Sequence, residues 1–302
     1  LAAALLIACG DDDDEPAPES ATRVVDTHLG PIEVPTRPER VIAFDRRGTL
    51  GYLLDLGIKP VAAMSAPNIY GGSTFHPLLA QDAGDIATID ATEPDLEQVV
   101  ALRPDLIVGF ANDVGRVLDS LKAIAPTVSI EIDFNNPEEE LVMLGRVFGL
   151  EDRASKLLTD FDAEVESVGK GLKSPGTVSI VLPQANDVRL YSGTNLAGQI
   201  VTKLGGQVVP DLGPLNPDAT GNLAVISYEQ VSVITGDTII FLSNLGADWI
   251  TYKNKLTSLP VFQTLPAARA NRIVEIESQA NFGTAGLRGQ RQILEVLAKA
   301  FA

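Results

Sequence analysis

Short apolar segments that alternate with helix-like segments dominate both halves of this sequence and constrain its fold most. Strand-like runs lie at 41–44 and 106–110 in the first half and at 178–182 and 238–242 in the second. Short buried strands that alternate with helices form parallel sheets covered by helices on both faces. The sequence therefore predicts an α/β fold with one parallel sheet in each half.

The stretch 137–172 separates the two halves and carries no proline after its first residue. Its apolar residues recur near helical spacing, so we predict a single long connector helix. At 1.5 Å per residue this helix would reach roughly 50 Å, and Gly145 and the run 149–152 are places where it would bend or break. We expect two Rossmann-like lobes, 22–136 and 173–302, with a ligand cleft between them.

Residues 1–9 resemble a signal-peptide remnant that ends in a bacterial lipobox. Eight small or apolar residues precede Cys9, and the acidic run 11–15 follows it. Eight apolar residues are too few to span a bilayer, for which about 20 are needed. A cysteine between an apolar run and an acidic run cannot lie in a core. We therefore predict that Cys9 is lipidated, that 10–21 form a disordered tether, and that the membrane is contacted through the lipid anchor only.

The chain carries a formal net charge of −17, with 40 acidic and 23 basic residues. A nucleic-acid partner requires a basic face, so this charge argues against nucleic acid and predicts a partner that carries positive charge. Of the 302 residues 45% are hydrophobic, which is enough apolar material for two cores.

The sequence contains no motif of a catalytic or metal site. We find no nucleophile elbow, phosphate loop, dinucleotide-binding glycine motif or metalloprotease helix. The two histidines, His28 and His76, lie far apart and outside any metal-ligand spacing. We therefore predict that the chain is not an enzyme, has no cofactor and binds no bare metal. A serine hydrolase would need His76 beside a cleft serine and a carboxylate.

One short motif occurs once in each half. Glu97 and Asp105 have the same spacing as Glu229 and Asp237, and in each copy a capping residue stands three positions before a glutamine. This is the pattern of a capping box, and it places each glutamate in a first helical turn. A glutamate there stabilises the helix through its dipole whatever its function. Two equivalent glutamates, one in each lobe, would also allow one rigid partner to contact both.

Five further segments identify a family when they are taken together. They are 30–35, 38–42, 56–61, 93–97 and 102–107. In this order they resemble the binding proteins of ABC importers for ferric siderophores, haem and cobalamin, and the resemblance covers nearly the whole chain from residue 23. It implies a monomeric solute-binding lipoprotein, on the outer face of the cytoplasmic membrane, that captures a ferric siderophore or similar iron chelate for a dimeric ABC permease.

The resemblance also implies a role for the repeated glutamates. In the family, one glutamate per lobe docks to arginine pockets on the two permease subunits, and that role falls on Glu97 and Glu229. Haem or cobalamin remains an alternative ligand, and an axial His76 or Tyr70 facing the cleft would indicate haem. A lipoprotein that binds a protein outside transport would instead expose an apolar patch and have a filled cleft. We expect modest lobe closure on ligand binding, because a long helix is stiff.

An iron chelate whose metal is already saturated needs cations and flat apolar or aromatic walls from the protein. The loops that follow strands line the cleft, so candidates come from these loops. The predicted ligand-binding residues are Arg46, Arg47, Tyr70, Trp249, Tyr252, Arg189, Tyr191, Phe282 and Arg288. The structural alternatives are a solvated helix start for the two adjacent arginines, a core position for the tryptophan and the polar face of a strand for Arg189 and Tyr191.

Overall fold

A short antiparallel hairpin leads into the first lobe. The structure is a computed structural model, and it describes residues 21–131, 133, 136, 138–243, 248–278, 283 and 285–302. Strands β1 (Thr22–Thr27) and β2 (Gly30–Pro35) pair from Thr22 with Pro35 to Thr27 with Gly30. Gly30 closes the turn with a φ of 99°, a conformation that side chains disfavour.

Parallel strands form the first sheet, in the order β5-β4-β3-β6-β7. These strands are β3 (Val41–Ala43), β4 (Ala62–Ser65), β5 (Ala87–Asp90), β6 (Leu106–Phe110) and β7 (Thr127–Ile130). The helices of this lobe are α1 (Thr49–Asp55), α2 (Ala80–Ala83), α3 (Leu96–Ala101), α4 (Ala111–Val114) and α5 (Leu118–Lys122). Strands β3, β6 and β7 are buried throughout, as expected for strands covered on both faces. The predicted parallel sheet of the first lobe is confirmed.

The connector differs from the single helix predicted over 137–172. It consists of α6 (Glu139–Phe148) and α7 (Glu151–Gly169), separated by Gly149 in the left-handed conformation with φ 64° and ψ 37°. The Leu150 amide donates to the Gly145 carbonyl at 2.7 Å, which closes the end of α6 in the manner of a helix-terminating glycine. With 19 residues, α7 spans about 28 Å. The prediction of one unbroken helix of roughly 50 Å is therefore wrong.

The second sheet is mixed. Its order is β11-β9-β8-β12-β13, with β10 also paired to β8. The strands are β8 (Thr177–Pro183), β9 (Val188–Tyr191), β10 (Gln207–Val208), β11 (Leu223–Ile226), β12 (Thr238–Ser243) and β13 (Ile273–Glu277). Strand β9 runs antiparallel to both neighbours, whereas β8, β12 and β13 are parallel. The α/β class is confirmed, but the purely parallel second sheet is not, because the loop 184–187 is too short for a crossover.

Helices and short 3₁₀ turns complete the chain. The helices of the second lobe are α8 (Leu196–Lys203), α9 (Trp249–Thr257), α10 (Pro266–Arg269) and α11 (Gly286–Phe301). The 3₁₀ turns are Pro77–Leu79, Gly213–Leu215, Tyr228–Val233 and Phe262–Thr264. Across the ranges that the structure describes, no helix is both long and apolar enough to span a membrane.

The repeated aspartates have equivalent structural roles in the two lobes. The carboxylate of Asp105, just before β6, accepts hydrogen bonds from the Glu39 and Arg40 amides at 2.6 and 2.9 Å. The carboxylate of Asp237, just before β12, accepts from the hydroxyl of Thr177 at 2.7 Å and from its amide at 3.4 Å. Each aspartate therefore fastens the chain near the start of the first strand of its sheet, β3 or β8.

One apolar core runs through both lobes. It includes side chains of both sheets and of the helices α1, α6, α7, α8 and α11, while a second cluster covers the other face of the first sheet. Helix α1 of the first lobe packs on α11 at very close range, since a Cβ at Gly51 would lie 2.5 Å from the Gly286 nitrogen. The lobes are therefore joined by these packed helices as well as by the connector.

The close contact of α1 with α11 predicts the effect of Gly51→Ala. Helix propensity alone would favour alanine by about 1 kcal/mol. We expect a net loss of about 1–3 kcal/mol in the free energy of unfolding, because the new methyl group would force the two backbones apart. Urea denaturation measures this change. Gly171→Ala is the control, since the nearest atom to a Cβ there lies at 3.8 Å. A G51A protein as stable as the original would contradict the close contact.

Candidate ligand-binding cleft

The carboxyl ends of strands from both sheets face each other across a cleft. His76, which follows β4, places its Nε2 atom 3.0 Å from Oε2 of Glu277, the last residue of β13. His76 Nδ1 accepts a hydrogen bond from the Leu78 amide at 3.2 Å, so the ring proton belongs on Nε2 and is donated to Glu277. This contact joins the two lobes directly.

The loop after β3 carries the two adjacent arginines predicted to bind ligand. It turns around the buried carboxylate of Asp45, which accepts hydrogen bonds from the Arg47 amide at 2.6 Å and the Phe110 amide at 3.1 Å. The guanidinium of Arg47 lies 5.7 Å from the centre of the Phe110 ring. The structure thus places Arg46 and Arg47 at the carboxyl edge of the first sheet, where a ligand can reach them.

Tyr70 supports this loop from behind. Its side chain is 4% exposed, and its hydroxyl donates to the Arg46 carbonyl at 2.6 Å. Burial, and secondly the charge of Asp45, raises the pKa of the Tyr70 hydroxyl. The ring meets that of His76 edge to face at 5.8 Å. Tyr70 was predicted as a ligand contact, but these contacts favour a role in positioning Arg46.

Strand β9 brings the second lobe to the same cleft. Arg189 and Tyr191 lie two positions apart, on one face of this strand. Burial raises the pKa of Tyr191, and the positive charges of Arg189 and of Arg47 oppose that rise. Arg47 belongs to the first lobe, so we expect the two predicted groups to face the same cleft. Arg189 is partly exposed, with its Nε 3.9 Å from the Asp187 carboxylate.

Two predicted ligand contacts have other surroundings. Trp249 begins α9 and is 6% exposed, with its ring edge to face on Phe241 at 5.9 Å, so it packs in the core instead of lining a loop. Arg288 makes ion pairs of 2.8 Å with both Asp55 and Asp82, which ties α11 to the first lobe. The structure therefore favours a packing role for Trp249 and a role in fastening the two lobes together for Arg288.

The structure does not test the predicted roles of Tyr252, Phe282 and Cys9. Tyr252 lies half-buried on α9, near Tyr228. The hydroxyl of Tyr228 donates to the Gln184 carbonyl at 2.6 Å, and the ammonium of Lys255 lies 4.1 Å from the centre of its ring. Sequence reasoning did not select Tyr228 or Lys255. Phe282 and Cys9 lie outside the described residues.

Sequence reasoning also missed Asp113 and Arg116, which follow β6. The Asp113 carboxylate is buried and lies 3.5 Å from Arg46 Nε and 3.6 Å from Arg116 Nη2. A neighbouring pocket of about 330 Å³ is lined by Thr92, Glu93, Pro94, Asp113, Arg116 and Val117. The position of these residues directly after a strand was a usable signal, because that edge of a parallel sheet lines the cleft.

A second buried carboxyl lies beneath the arginine loop. Glu140 of α6 is buried, and the Thr49 hydroxyl lies 2.8 Å from its Oε1 atom. Burial, together with the nearby charge of Asp45, raises the pKa of Glu140 to about 8. The pKa of Asp45 is itself raised by burial, although its hydrogen bonds from Thr49 and the Arg47 amide oppose that rise. The loop is thus fastened to the connector through two carboxyl groups in one buried network.

The repeated glutamates both lie exposed near the cleft edge of their lobes. Asp95 caps α3 by accepting from the Glu97 amide at 2.9 Å, but the Gln98 side chain donates to the Thr88 carbonyl instead of completing a capping box. In the second copy the Ser227 amide donates to Gln230 Oε1 at 2.9 Å, and the following turn is 3₁₀. A hydrogen bond with the Ser227 side chain lowers the pKa of Glu229, so its carboxylate is ionised at neutral pH. Among the residues that the structure covers, no cluster of His, Cys, Asp and Glu could hold a metal ion.

Two α/β lobes with a cleft between their strand ends define a two-lobed ligand-binding protein. A family model described as periplasmic binding protein matches residues 66–280, which is more than half of the chain. The chain therefore belongs to the periplasmic binding protein family, and the resemblance drawn from its motifs is confirmed.

Individual relatives are similar over most of their length. The chain is 26% identical to the probable siderophore-binding lipoprotein YfiY of Bacillus subtilis, with 98% of this chain and 93% of YfiY covered. It is 28% identical to the iron(3+)-hydroxamate-binding protein FhuD of Bacillus subtilis, with 79% and 76% covered. The crystal structure of Staphylococcus aureus SirA complexed with staphyloferrin B matches with a TM-score of 0.74 and 25% identity, with 92% of this chain and 96% of SirA covered.

The buried Glu140 predicts a pH-dependent stability. Its pKa rises from 4.5 as an ordinary carboxyl to about 8 in the folded chain, so the folded state holds a proton that the unfolded state releases between these values. The corresponding stability is complete below about pH 4.5 and is lost as the pH rises towards 8. Relative to Glu140→Gln, we expect the original protein to lose on the order of 1 kcal/mol per pH unit between pH 6 and 8.

Urea denaturation at pH 6, 7, 8 and 9 measures this difference. Glu139→Gln is the control, since Glu139 lies in the same turn of α6 but is exposed. Its stability should follow that of the original protein at each pH. Parallel curves for the original protein and E140Q would show that Glu140 is ionised in the folded state throughout.

Proposed function

We propose that this chain is the solute-binding component of an ABC importer, and that it captures a ferric siderophore and delivers it to the permease. The observation that carries the proposal is the pair Arg46 and Arg47 at the carboxyl edge of the first sheet, and we propose that Arg189 and Tyr191 of the second lobe face them across the cleft. Guanidinium groups suit the oxygen-rich anionic surface of an iron chelate whose metal is already coordinated. The named ligands of YfiY, FhuD and SirA support this class of ligand.

Haem is the weaker alternative. An axial ligand needs an accessible ring nitrogen or phenolate, but His76 is 3% exposed and both of its nitrogens have partners. The Tyr70 hydroxyl is bonded to a backbone carbonyl. The same contacts argue against a serine hydrolase. The His76 ring is hydrogen-bonded to the Leu78 amide and to Glu277, whereas a hydrolase would need it hydrogen-bonded to a serine. We therefore propose a carrier without catalytic activity, and cobalamin or a protein ligand remain outcomes of the binding test.

Glu97 and Glu229 are proposed as the contacts to the permease. Both are exposed, and both lie in the crossover that leads into the strand beside the first strand of their sheet, before β6 and before β12. Such a crossover begins at the carboxyl edge of a sheet, so the two carboxylates flank the cleft mouth. Exposed ion pairs of this kind contribute mainly to orientation and to the rate of association.

We propose that the protein acts as a monomer, with lobes at 22–136 and 173–302, and is anchored by lipidated Cys9 to the outer face of the cytoplasmic membrane. The relatives YfiY and YhfQ of Bacillus subtilis are named lipoproteins, which supports the anchor. The dimeric permease then meets both lobes at once through the two docking glutamates.

Titration calorimetry of the purified chain tests ligand capture. We expect saturable binding, at micromolar affinity or better, of at least one ferric chelate from a panel of ferric citrate, a ferric trihydroxamate, a ferric catecholate, haemin and cobalamin. Arg47→Gln should weaken that binding about tenfold, because it removes a charge-assisted contact. Arg269→Gln, a change of the same charge at an exposed position at the end of α10, should have no effect. A folded protein that binds none of the ferric chelates would overturn the proposed function.

Iron uptake by cells that hold the chain and its permease tests docking. The double change Glu97→Ala and Glu229→Ala should lower uptake at least tenfold while ligand affinity stays within twofold, because the carboxylates lie outside the cleft. The control is Glu139→Ala with Glu295→Ala, which removes two exposed carboxylates from helices elsewhere. Normal uptake by the first double variant would refute the docking role.

A further inference from the structure

Two arginines from different loops converge on one buried carboxylate beside the cleft. Arg46 follows β3 and Arg116 follows α4, and both guanidiniums face the same oxygen of Asp113, Oδ1. The other oxygen of Asp113 accepts from the Arg46 amide at 3.4 Å, and Arg116 Nη2 also donates to the Ala91 carbonyl at 3.3 Å. The Asp113 side chain is 3% exposed, whereas those of Arg46 and Arg116 are 41% and 52% exposed.

The positive charge of this cluster exceeds its negative charge. Two guanidinium groups share a single carboxylate, at distances of 3.5 and 3.6 Å that are longer than charge-assisted hydrogen bonds of about 2.7–2.9 Å. Each guanidinium has five N–H donors, and most of them have no acceptor within the described part of the chain. The cluster can therefore accept a second anion without losing the first.

The surroundings indicate which anion fits. The described lining of the adjacent pocket contains no aromatic side chain, so this pocket offers no aromatic face on which catechol rings would stack. A ferric trihydroxamate presents no free anionic group that would need two guanidiniums. A free carboxylate matches the planar arginine fork in geometry and charge.

We propose that the Arg46–Asp113–Arg116 cluster is a carboxylate-binding subsite, and that the ferric ligand is a carboxylate-type chelate with at least one carboxylate free of the iron. This proposal rests on the proposed function and deepens it by naming the ligand class. Asp113 acts as a positioning residue, which holds the two forks at one point, and Arg46 and Arg116 contact the ligand. Glu93, on the wall of the same pocket, opposes the ligand charge and limits the affinity.

Calorimetry of the full chain with ferric citrate as the probe tests the subsite. Arg116→Gln and Arg46→Gln should each weaken binding about ten- to hundredfold, and R46K and R116K should restore only part of the loss because lysine lacks the fork. Arg269→Gln should stay within twofold. Glu93→Gln should strengthen binding about two- to threefold. Unchanged affinity in both glutamine variants, or weaker binding in E93Q, would overturn the subsite.

The Asp113→Asn variant distinguishes two possible roles of Asp113, which are positioning the two guanidiniums and neutralising their charge. The change makes the cluster more positive, so a role limited to neutralising charge predicts tighter binding of ferric citrate. A positioning role predicts a loss of about tenfold, because the two guanidiniums lose their shared anchor while the amide retains the shape of the side chain. Tighter binding by D113N would overturn the positioning role.

The ligand panel separates this inference from the proposed function. Tighter binding of ferric citrate than of the ferric trihydroxamate and the ferric catecholate supports the carboxylate class. Tighter binding of either of the other two by the original protein would overturn the ligand class and leave siderophore capture intact. Absence of binding to all three would overturn both.

Discussion

The position of the cleft depends on the contact between α1 and α11. Gly51 and Gly286 let these helices meet backbone to backbone, and a side chain at either position would push them apart. Asp55 of α1 then accepts from the Leu287 amide and pairs with Arg288, both at the start of α11. Since α1 begins directly after the arginine loop of the first lobe, the contact that spaces the lobes also sets where that loop faces the second lobe.

Buried carboxyl groups fix the side chains at the cleft edge. A buried charge is costly unless it is hydrogen-bonded or paired. The three buried carboxyl groups meet this cost in three different ways. Asp45 accepts from two backbone amides, Asp113 lies between two arginines, and Glu140 has a pKa raised to about 8. The result is an arginine loop whose backbone is anchored from below while its guanidinium groups remain at the surface.

The parts of the fold that were predictable are those encoded within short windows of sequence. Buried strands, the cleft arginines after β3 and the repeated glutamates all follow from local periodicity, strand ends or spacing. Local signals also exist for the break at Gly149, which is a glycine within the run named as a possible break, and for the hairpin, whose loop 184–187 has only four residues. The antiparallel strand β9 follows directly from that short loop.

The parts that escaped prediction depend on contacts between distant segments. Arg46 and Asp113 are 67 positions apart, and their loops meet only because β3 and β6 are neighbours in the sheet. The polar neighbours of Trp249 predict a loop position, yet this residue begins a helix and packs on Phe241. Local composition predicts neither the order of strands in a sheet nor the direction in which a side chain points.

The charge distribution separates the two surfaces that the proposed function requires. Beyond about 8 Å at physiological salt, charges are largely screened, so the net charge of −17 only weakly opposes an approaching anionic chelate. At the Arg46–Asp113–Arg116 cluster two guanidinium groups share one carboxylate and leave a local positive charge, whereas Glu97 and Glu229 are exposed carboxylates. If Glu97 and Glu229 dock to the permease as proposed, an anionic chelate that neutralises the arginines would make the docking face more acidic than that of the empty protein. The charge of the ligand would therefore itself favour docking of the loaded form.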